Sequence, residues 1–217
     1  PLDAHWCQLV SFAAHYYQRS VGEIALSALP NQLRELDAAQ WQRRLKQHAK
    51  APASNTPKTD AAQAGNPPQG FRLSDEQQAV LTRIASERGP FLLWGNTGSG
   101  KTEVYLHAAQ AVFEQEPNAQ VLVMVPEINL TPQLFARFAA RFGSENVVSM
   151  HSGLTPAQRL KHWLAAHTGR ARIVLGTRMA VFASMPNLRL IVVDEEHDPS
   201  YKQQEGARYS ARDLAVY

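Results

Sequence analysis

Five short apolar runs punctuate the chain from residue 91 onward: FLLW at 91–94, VLVMV at 121–125, VVSM at 147–150, IVLG at 173–176 and LIVV at 190–193. They are continuous rather than alternating, the pattern of strands buried on both faces. Stretches with helical spacing lie between them. Residues 75–87 read as one helix, Tyr105, Ala108, Ala109 and Val112 mark the face of the next, and Leu134, Phe135, Phe138 and Phe142 that of a third. Thr155 and Gln158 form a capping box around Pro156 and open a fourth. Buried strands separated by helices pair in parallel, because a parallel connection needs a long crossover that lays the helix on a sheet face. The expected fold class is α/β with three layers.

The first 50 residues have a different texture. Trp6, Leu9, Val10, Ala13 and Tyr17 form one helical stripe. After Ser20-Val21-Gly22, the residues Ile24, Ala25, Ala28 and Leu29 predict a short second helix stopped by Pro30. Leu33, Leu36, Trp41 and Leu45 predict a third, with Arg43, Arg44, Lys46 and Lys50 on a basic face. Two readings fit this segment, a helix–turn–helix and a packing appendage. Residues 51–70, APASNTPKTDAAQAGNPPQG, lack apolar periodicity and are expected to form a flexible linker.

The chain of 217 residues is 44% hydrophobic and 19% charged, enough apolar matter for a packed core. A net charge of +3 fits a polyanion-binding protein without requiring one. Cys7 is the single cysteine, so neither an internal disulfide nor a multi-cysteine zinc site can be built from this sequence. No apolar run approaches the roughly 20 residues of a membrane span, and a cytoplasmic setting without membrane contact is expected.

The sequence 95-GNTGSGKT-102 follows FLLW and precedes a predicted helix, the context in which G-x-x-x-x-G-K-[ST] has meaning as a phosphate-binding loop. Gly95, Asn96, Thr97, Gly98, Ser99 and Gly100 would offer backbone N–H groups to phosphates, helped by the helix N-terminus. Lys101 would reach the β- and γ-phosphates of ATP, and Thr102 would coordinate Mg²⁺. The bland alternative is a glycine-rich turn. A second metal anchor is expected at a strand end, and Asp194-Glu195 after LIVV supplies it: Asp194 for Mg²⁺, Glu195 to polarise the attacking water. Gln77 stands three residues after Ser74, which by local spacing is a capping box needing no ligand.

Four further segments narrow the type, taken with 95-GNTGSGKTEVYL-106: 126-PEINLTPQL-134, 151-HSGLTPAQR-159, 176-GTRMAVF-182 and 194-DEEHDPSYKQQEGARYSARDLAVY-217. Together these resemble the first motor domain of superfamily 2 DNA helicases, and within them the bacterial replication-restart helicases. The resemblance is dense from Leu73 to Tyr217. A weaker one, over WCQLVSFAAHYYQRSVGEIALSALP, implies a winged-helix remnant at 1–50, followed by the linker 51–70 and a first RecA-like motor domain at 71–217.

The resemblance implies roles residue by residue. Gln77 matches an adenine-contacting glutamine, which one helix start can combine with a cap. Pro126, Glu127, Leu130 and Thr131 match a motif meeting the DNA backbone, although Thr131 before Pro132 is also a plain helix cap. His151, Ser152, Gly153, Thr177 and Arg178 match loops on the same DNA-facing side. His197 matches a position linking nucleotide to DNA, though it can equally orient Glu195 or be a plain surface histidine. Tyr201, Lys202, Gln203, Gln204, Arg208, Tyr209 and Arg212 match an aromatic-rich loop, with the tyrosines offering ring faces to unpaired bases and the cations near phosphates. Asn96 and Asn129 depart from the pattern without removing an essential group. The resemblance further implies single-stranded and forked DNA, primosome proteins and single-strand-binding protein as partners. It implies zinc only in the family's longer protein, outside this chain.

On this reading the chain is the ATP-binding half of a 3′→5′ helicase motor. It lacks the second RecA-like domain and is expected to be inactive alone. Two rivals stay open from sequence: a P-loop NTPase of another kind, such as a transporter subunit or nucleotide kinase, and a nucleotide- and DNA-binding module without turnover.

Overall fold

The computed structural model describes residues 2–34, 36–50, 73–96 and 98–217, without the side chains of 47–50. The expected linker at 51–70, Thr97 and the basic side chain of Lys50 lie outside the described residues. These residues fall into two compact units, Pro1–Pro52 with Asn118–Tyr217, and Ala53–Pro117.

The first unit holds the sheet. Strands β1 (Gln120–Met124), β2 (Val147–Met150), β3 (Ile173–Gly176) and β4 (Leu188–Val193) are all parallel, in the spatial order β2-β3-β1-β4. Helix α7 (Pro132–Phe142) joins β1 to β2, and α8 (Pro156–His167) joins β2 to β3. Both start as expected: Thr131 caps α7 by accepting from Leu134 N at 3.2 Å, and the Thr155–Gln158 capping box is formed at α8. Helix α9 (Ala211–Val216) ends the chain. Strand side chains alternate between faces. Leu122 and Met124 of β1 share one core with Val148, Met150 and Val174, while Val121 and Val123 are buried on the opposite face. This is the three-layer α/β arrangement of a RecA-like domain.

The opening helices join that core. Helix α1 (Ala4–Tyr16) contributes Trp6, Val10, Ala13 and Ala14, α2 (Val21–Ala28) contributes Ile24, and α3 (Asn31–Arg34) contributes Leu33, all in one core with Leu160, Trp163 and Leu164 of α8. Trp6 Nε1 also donates to the Phe182 carbonyl at 2.8 Å. The opening segment thus packs on the α/β body. Among its described residues there is no strand such as a wing requires.

The third helix expected across Leu33–Leu45 is two: α3 and α4 (Ala38–Lys50). Asp37 explains the break. Its carboxylate accepts from Gln40 N at 2.8 Å while Gln40 Oε1 accepts from Asp37 N at 3.1 Å, a reciprocal cap that starts a new helix. Trp41 on α4 then meets Trp163 and His167 edge-on.

The second unit contains α5 (Asp75–Ser86) and α6 (Lys101–Gln115), which pack on each other. The strand expected at FLLW 91–94 is not formed. A strand exists only with a ladder partner for its N–H and C=O groups, and 91–94 have none among the described residues; Trp94 is 89% exposed and Leu92 74%. Among the described residues, no helix is long and apolar enough to cross a membrane.

Candidate functional site

In the second unit, the loop ahead of α6 has the form that phosphate binding needs. Gly98 and Gly100 adopt φ of +84° and +82°, left-handed conformations that glycine reaches without strain. A Cβ on Gly95 would lie 2.6 Å from Ser99 Oγ, and one on Gly100 would lie 2.5 Å from Gln77 Nε2. Helix α6 starts at Gly100 with no side chain capping it, so first-turn N–H groups and the positive end of the dipole are left for an anion. Lys101 Nζ donates to the Gly95 carbonyl at 2.8 Å, folding the amine back over the loop. Thr102, half-buried, follows in the first turn. These features fit a nucleotide phosphate and its Mg²⁺: the bent backbone and α6 for the phosphates, Lys101 for their outer charge, the Thr102 hydroxyl for the metal.

Gln77 does what its local spacing predicts. Its Oε1 accepts from Ser74 N at 3.0 Å and its N donates to Ser74 Oγ at 3.2 Å, completing the capping box. The remaining amide end, Nε2, donates to the Ser99 carbonyl at 3.2 Å. Each end of the amide is thus engaged once, and one N–H and one lone pair stay open for a second partner.

In the first unit, register gathers the remaining motifs. Met124 pairs with Gly176 and Val193, and Met150 pairs with Gly176, so all four strands end at one edge of the sheet. The loops leaving that edge carry Pro126-Glu127, His151-Ser152-Gly153, Thr177-Arg178 and Asp194-Glu195. The carboxyl edge of a parallel sheet is where ligands of open α/β folds bind.

Hydrogen bonds tie this rim together. Ser152 Oγ donates to Glu127 Oε1 at 3.0 Å, Thr177 N to the Met150 carbonyl at 3.0 Å, and Asp194 N to the Met124 carbonyl at 2.9 Å. Burial is the main cause holding His151 below its usual pKa, against the Glu127 charge. Thr177 is buried, as is Pro126, whereas Glu127, Ser152 and Gly153 are exposed. Glu195 has φ of 47°, a left-handed conformation costly for a residue with a Cβ. His197 projects into solvent, 75% exposed, with Nε2 3.9 Å from Glu195 Oε2.

The tract after Glu195 folds back onto the rim. Asp198 accepts from Ser200 N at 2.8 Å and turns the chain, and bonding to Ser200 holds its carboxyl below the usual range. Tyr201 Oη donates to the Asp194 carbonyl at 2.6 Å and lies 3.0 Å from the Met124 carbonyl. Arg178 Nε donates to Gln203 Oε1 at 2.7 Å and its Nη1 to the Ser200 carbonyl at 3.2 Å. Lys202 and Ser210 form an antiparallel bridge that closes the loop between them.

This geometry corrects one expectation. Tyr201 is 2% exposed and Tyr209 6%, with the Tyr209 ring edge-on to Phe182 at 5.0 Å. Burial pushes the Tyr209 phenol up to about 12. Neither ring presents a face to solvent, so base stacking is not available to them in this conformation. An alternation of aromatic and polar residues reads alike whether the rings point out or in. The exposed members are Lys202, Gln204, Arg208 and Arg212. Arg212 is already bonded to Glu196 at 3.3 Å and to Asp213. Sequence reading passed over Tyr17, whose hydroxyl accepts from Ser210 N at 3.0 Å. No local pattern announces a contact between residues so far apart in the chain.

Comparison with known proteins agrees with this arrangement. Residues 74–216 match the model of the DEAD/DEAH box helicase family. The chain is 46% identical over 149 residues to the replication restart protein PriA of Bacillus subtilis, covering 66% of this chain and 18% of that protein. It is 36% identical over 206 residues to that of Treponema pallidum, covering 94% and 28%. With that of Rickettsia prowazekii it shares 34% over 209 residues, covering 96% and 29%. The chain thus spans less than a third of the length of each of these relatives. This span of similarity places the chain in the DEAD/DEAH box helicase family, on the PriA side of it.

Proposed function

We propose that this chain is the ATP-binding part, the first RecA-like motor domain at 71–217, of a 3′→5′ DNA helicase serving replication restart. Such a protein works in the bacterial cytoplasm at the nucleoid, binds stalled or abandoned forks, and helps reload the replicative helicase together with primosome proteins and single-strand-binding protein. By their motifs, Lys101 neutralises the outer phosphates, Thr102 and Asp194 hold Mg²⁺, and Glu195 orients and deprotonates the attacking water. Bound Mg²⁺ supplies charge neutralisation between the phosphates. Glu127, Thr131, Ser152, Gly153 and Arg178 line the DNA path beside the exposed Lys202, Gln204 and Arg208, whose positive charge suits phosphates. His197, beside Glu195, stands at the joint between the two ligands.

The observation that carries this reading is the hydrogen bond from buried Tyr201 to the Asp194 carbonyl. It gives the acidic pair and the loop a shared anchor, so a shift at one displaces the other. Coupling of hydrolysis to DNA then needs only that the two ligands favour different settings of this segment. Charge stabilisation supplied in trans speeds hydrolysis in P-loop enzymes, and turnover by this motor domain is expected to need it.

The test uses the natural full-length protein. ATP hydrolysis should rise on adding single-stranded DNA, and a duplex with a 3′ single-stranded tail should be unwound. Hydrolysis indifferent to DNA would point instead to a P-loop NTPase with another task. Turnover by the present chain alone at the full protein's rate would overturn the expectation of inactivity.

A further inference from the structure

We propose that Tyr17, at the end of α1, is a positioning residue that clamps the neck of the 202–210 loop and so sets how readily DNA engages it. The inference rests on the DNA-coupled reading above but concerns a residue outside the motor motifs.

Three observations meet at this side chain. First, its hydroxyl accepts from the Ser210 backbone N–H at 3.0 Å. Second, Lys202 Nζ stands 5.4 Å from the centre of its ring, a cation–π distance. Third, Lys202 and Ser210 are the two bridged residues that close the loop. One side chain therefore touches both sides of the neck. Ser210 also caps α9, accepting from Asp213 N at 3.3 Å, so the clamp fixes the start of that helix as well.

The mounting is rigid. Tyr17 N donates to the Ala13 carbonyl at 3.0 Å, closing the last turn of α1. The helix itself is held by Val10, Ala13 and Ala14 in the core and by the Trp6 bond to Phe182. The loop, by contrast, has an exposed tip at Gln204, Glu205 and Gly206. A loop with its neck fastened to a packed helix loses less freedom when a ligand orders it. Burial raises the Tyr17 phenol above its ordinary value, so the ring stays neutral at physiological pH.

A ring that only filled space would serve as phenylalanine. The hydroxyl is what reaches the Ser210 N–H, and that distinction makes the inference testable. In the natural full-length protein, Tyr17→Phe keeps the ring under Lys202 and removes the acceptor, whereas Tyr17→Ala removes both. Two quantities are read: amide hydrogen exchange across residues 203–212 without DNA, and the oligothymidylate concentration giving half-maximal stimulation of ATP hydrolysis. Exchange at Ser210 should quicken roughly 5-fold in Tyr17→Phe, the equivalent of one ordinary hydrogen bond. The half-stimulating DNA concentration should rise roughly 3- to 5-fold in Tyr17→Phe and further in Tyr17→Ala. The rate at saturating DNA should stay at the wild-type value in both.

Unchanged exchange in Tyr17→Phe would overturn the clamp. Faster exchange with an unaltered or lowered half-stimulating concentration would overturn its positioning role. If Tyr17→Ala fails to fold, Tyr17→Phe still decides. Failure of the broader functional reading looks different: the wild-type protein would show no DNA stimulation, while the exchange comparison would still report the clamp.

Discussion

Tyr201 Oη donates to the Asp194 backbone carbonyl at 2.6 Å, across seven residues that hold the acidic pair, the exposed His197 and a tight turn. The acidic head of this segment and its basic tail are therefore one piece of structure. Arg178, reaching Gln203 and the Ser200 carbonyl, fastens the same piece to the loop after β3.

On the role proposed for Lys101, its replacement with alanine should cost at least about 100-fold in ATP hydrolysis, with or without DNA, by removing the charge proposed for the outer phosphates. The amine's bond to the Gly95 carbonyl also disappears, so some loosening of the loop is expected in the nucleotide-free protein. Steady-state hydrolysis in the full-length protein checks the loss, and a variant within a few-fold of wild type would remove Lys101 from the chemistry.

Arg208 is exposed on the loop and should act on DNA by charge. Arg208→Ala should lower DNA-stimulated hydrolysis more than DNA-free hydrolysis. It should also flatten the dependence of DNA affinity on salt by roughly one phosphate contact. A salt titration of DNA binding measures this, and an unchanged slope would place Arg208 away from the backbone.

The shared core makes the opening helices part of the α/β body. Ile24 is fully buried among residues of that core, so Ile24→Ala should destabilise the protein by about 2–5 kcal/mol. Trp6→Phe should cost about 1 kcal/mol through the lost bond to the Phe182 carbonyl. Urea unfolding measures both; a separate, early transition for the opening helices with the sheet unaffected would contradict a common core.

Three histidines around α8 give the fold a pH dependence. His162 is held below its ordinary 6.5 mainly by burial, against the opposing pull of its bond to the Ser149 carbonyl at 2.7 Å; Lys161 and His151 lower it further. A carbonyl only accepts, so Nδ1 carries the proton. Burial likewise lowers His167, which contacts Ser184 Oγ at 2.8 Å, and His151. Each group is neutral in both folded and unfolded chains above 6.5, so their cost is nil there. As pH falls below 6.5 the unfolded chain takes up protons first, and stability is lost until the folded pKa values are reached. The urea midpoint should drop between pH about 7.5 and about 5.5, and His162→Gln should shrink that drop. An equal drop in the variant would assign the effect to other groups.

Much of this architecture was legible in sequence because its signals are local. Continuous apolar runs identified β1 to β4, the Thr155–Gln158 spacing marked α8, and the glycine pattern marked the loop ahead of α6. The departures come from partners that sequence does not display. FLLW has the composition of a strand, but a strand is completed by a neighbour. Asp37 divides a helix through a cap with Gln40 that the hydrophobic stripe across it conceals. Tyr201 and Tyr209 look like stacking rings until Phe182 and two backbone carbonyls are brought to them by the fold. Tyr17 reads as one more stripe residue of α1, and only the meeting of the chain's two ends makes it a contact to the loop.

The hydroxyl of Tyr201 is the direct link between the acidic pair and the loop. Tyr201→Phe keeps the ring in place and removes the bond to Asp194. The measurement is the ratio of DNA-stimulated to DNA-free ATP hydrolysis in the full-length protein, with ATP and DNA affinities determined separately. The ratio should fall roughly 5- to 10-fold, the loss expected for about one buried hydrogen bond, while both affinities stay within about 2-fold of wild type. A folded variant whose ratio equals that of wild type would contradict a link between the acidic pair and the loop through this contact.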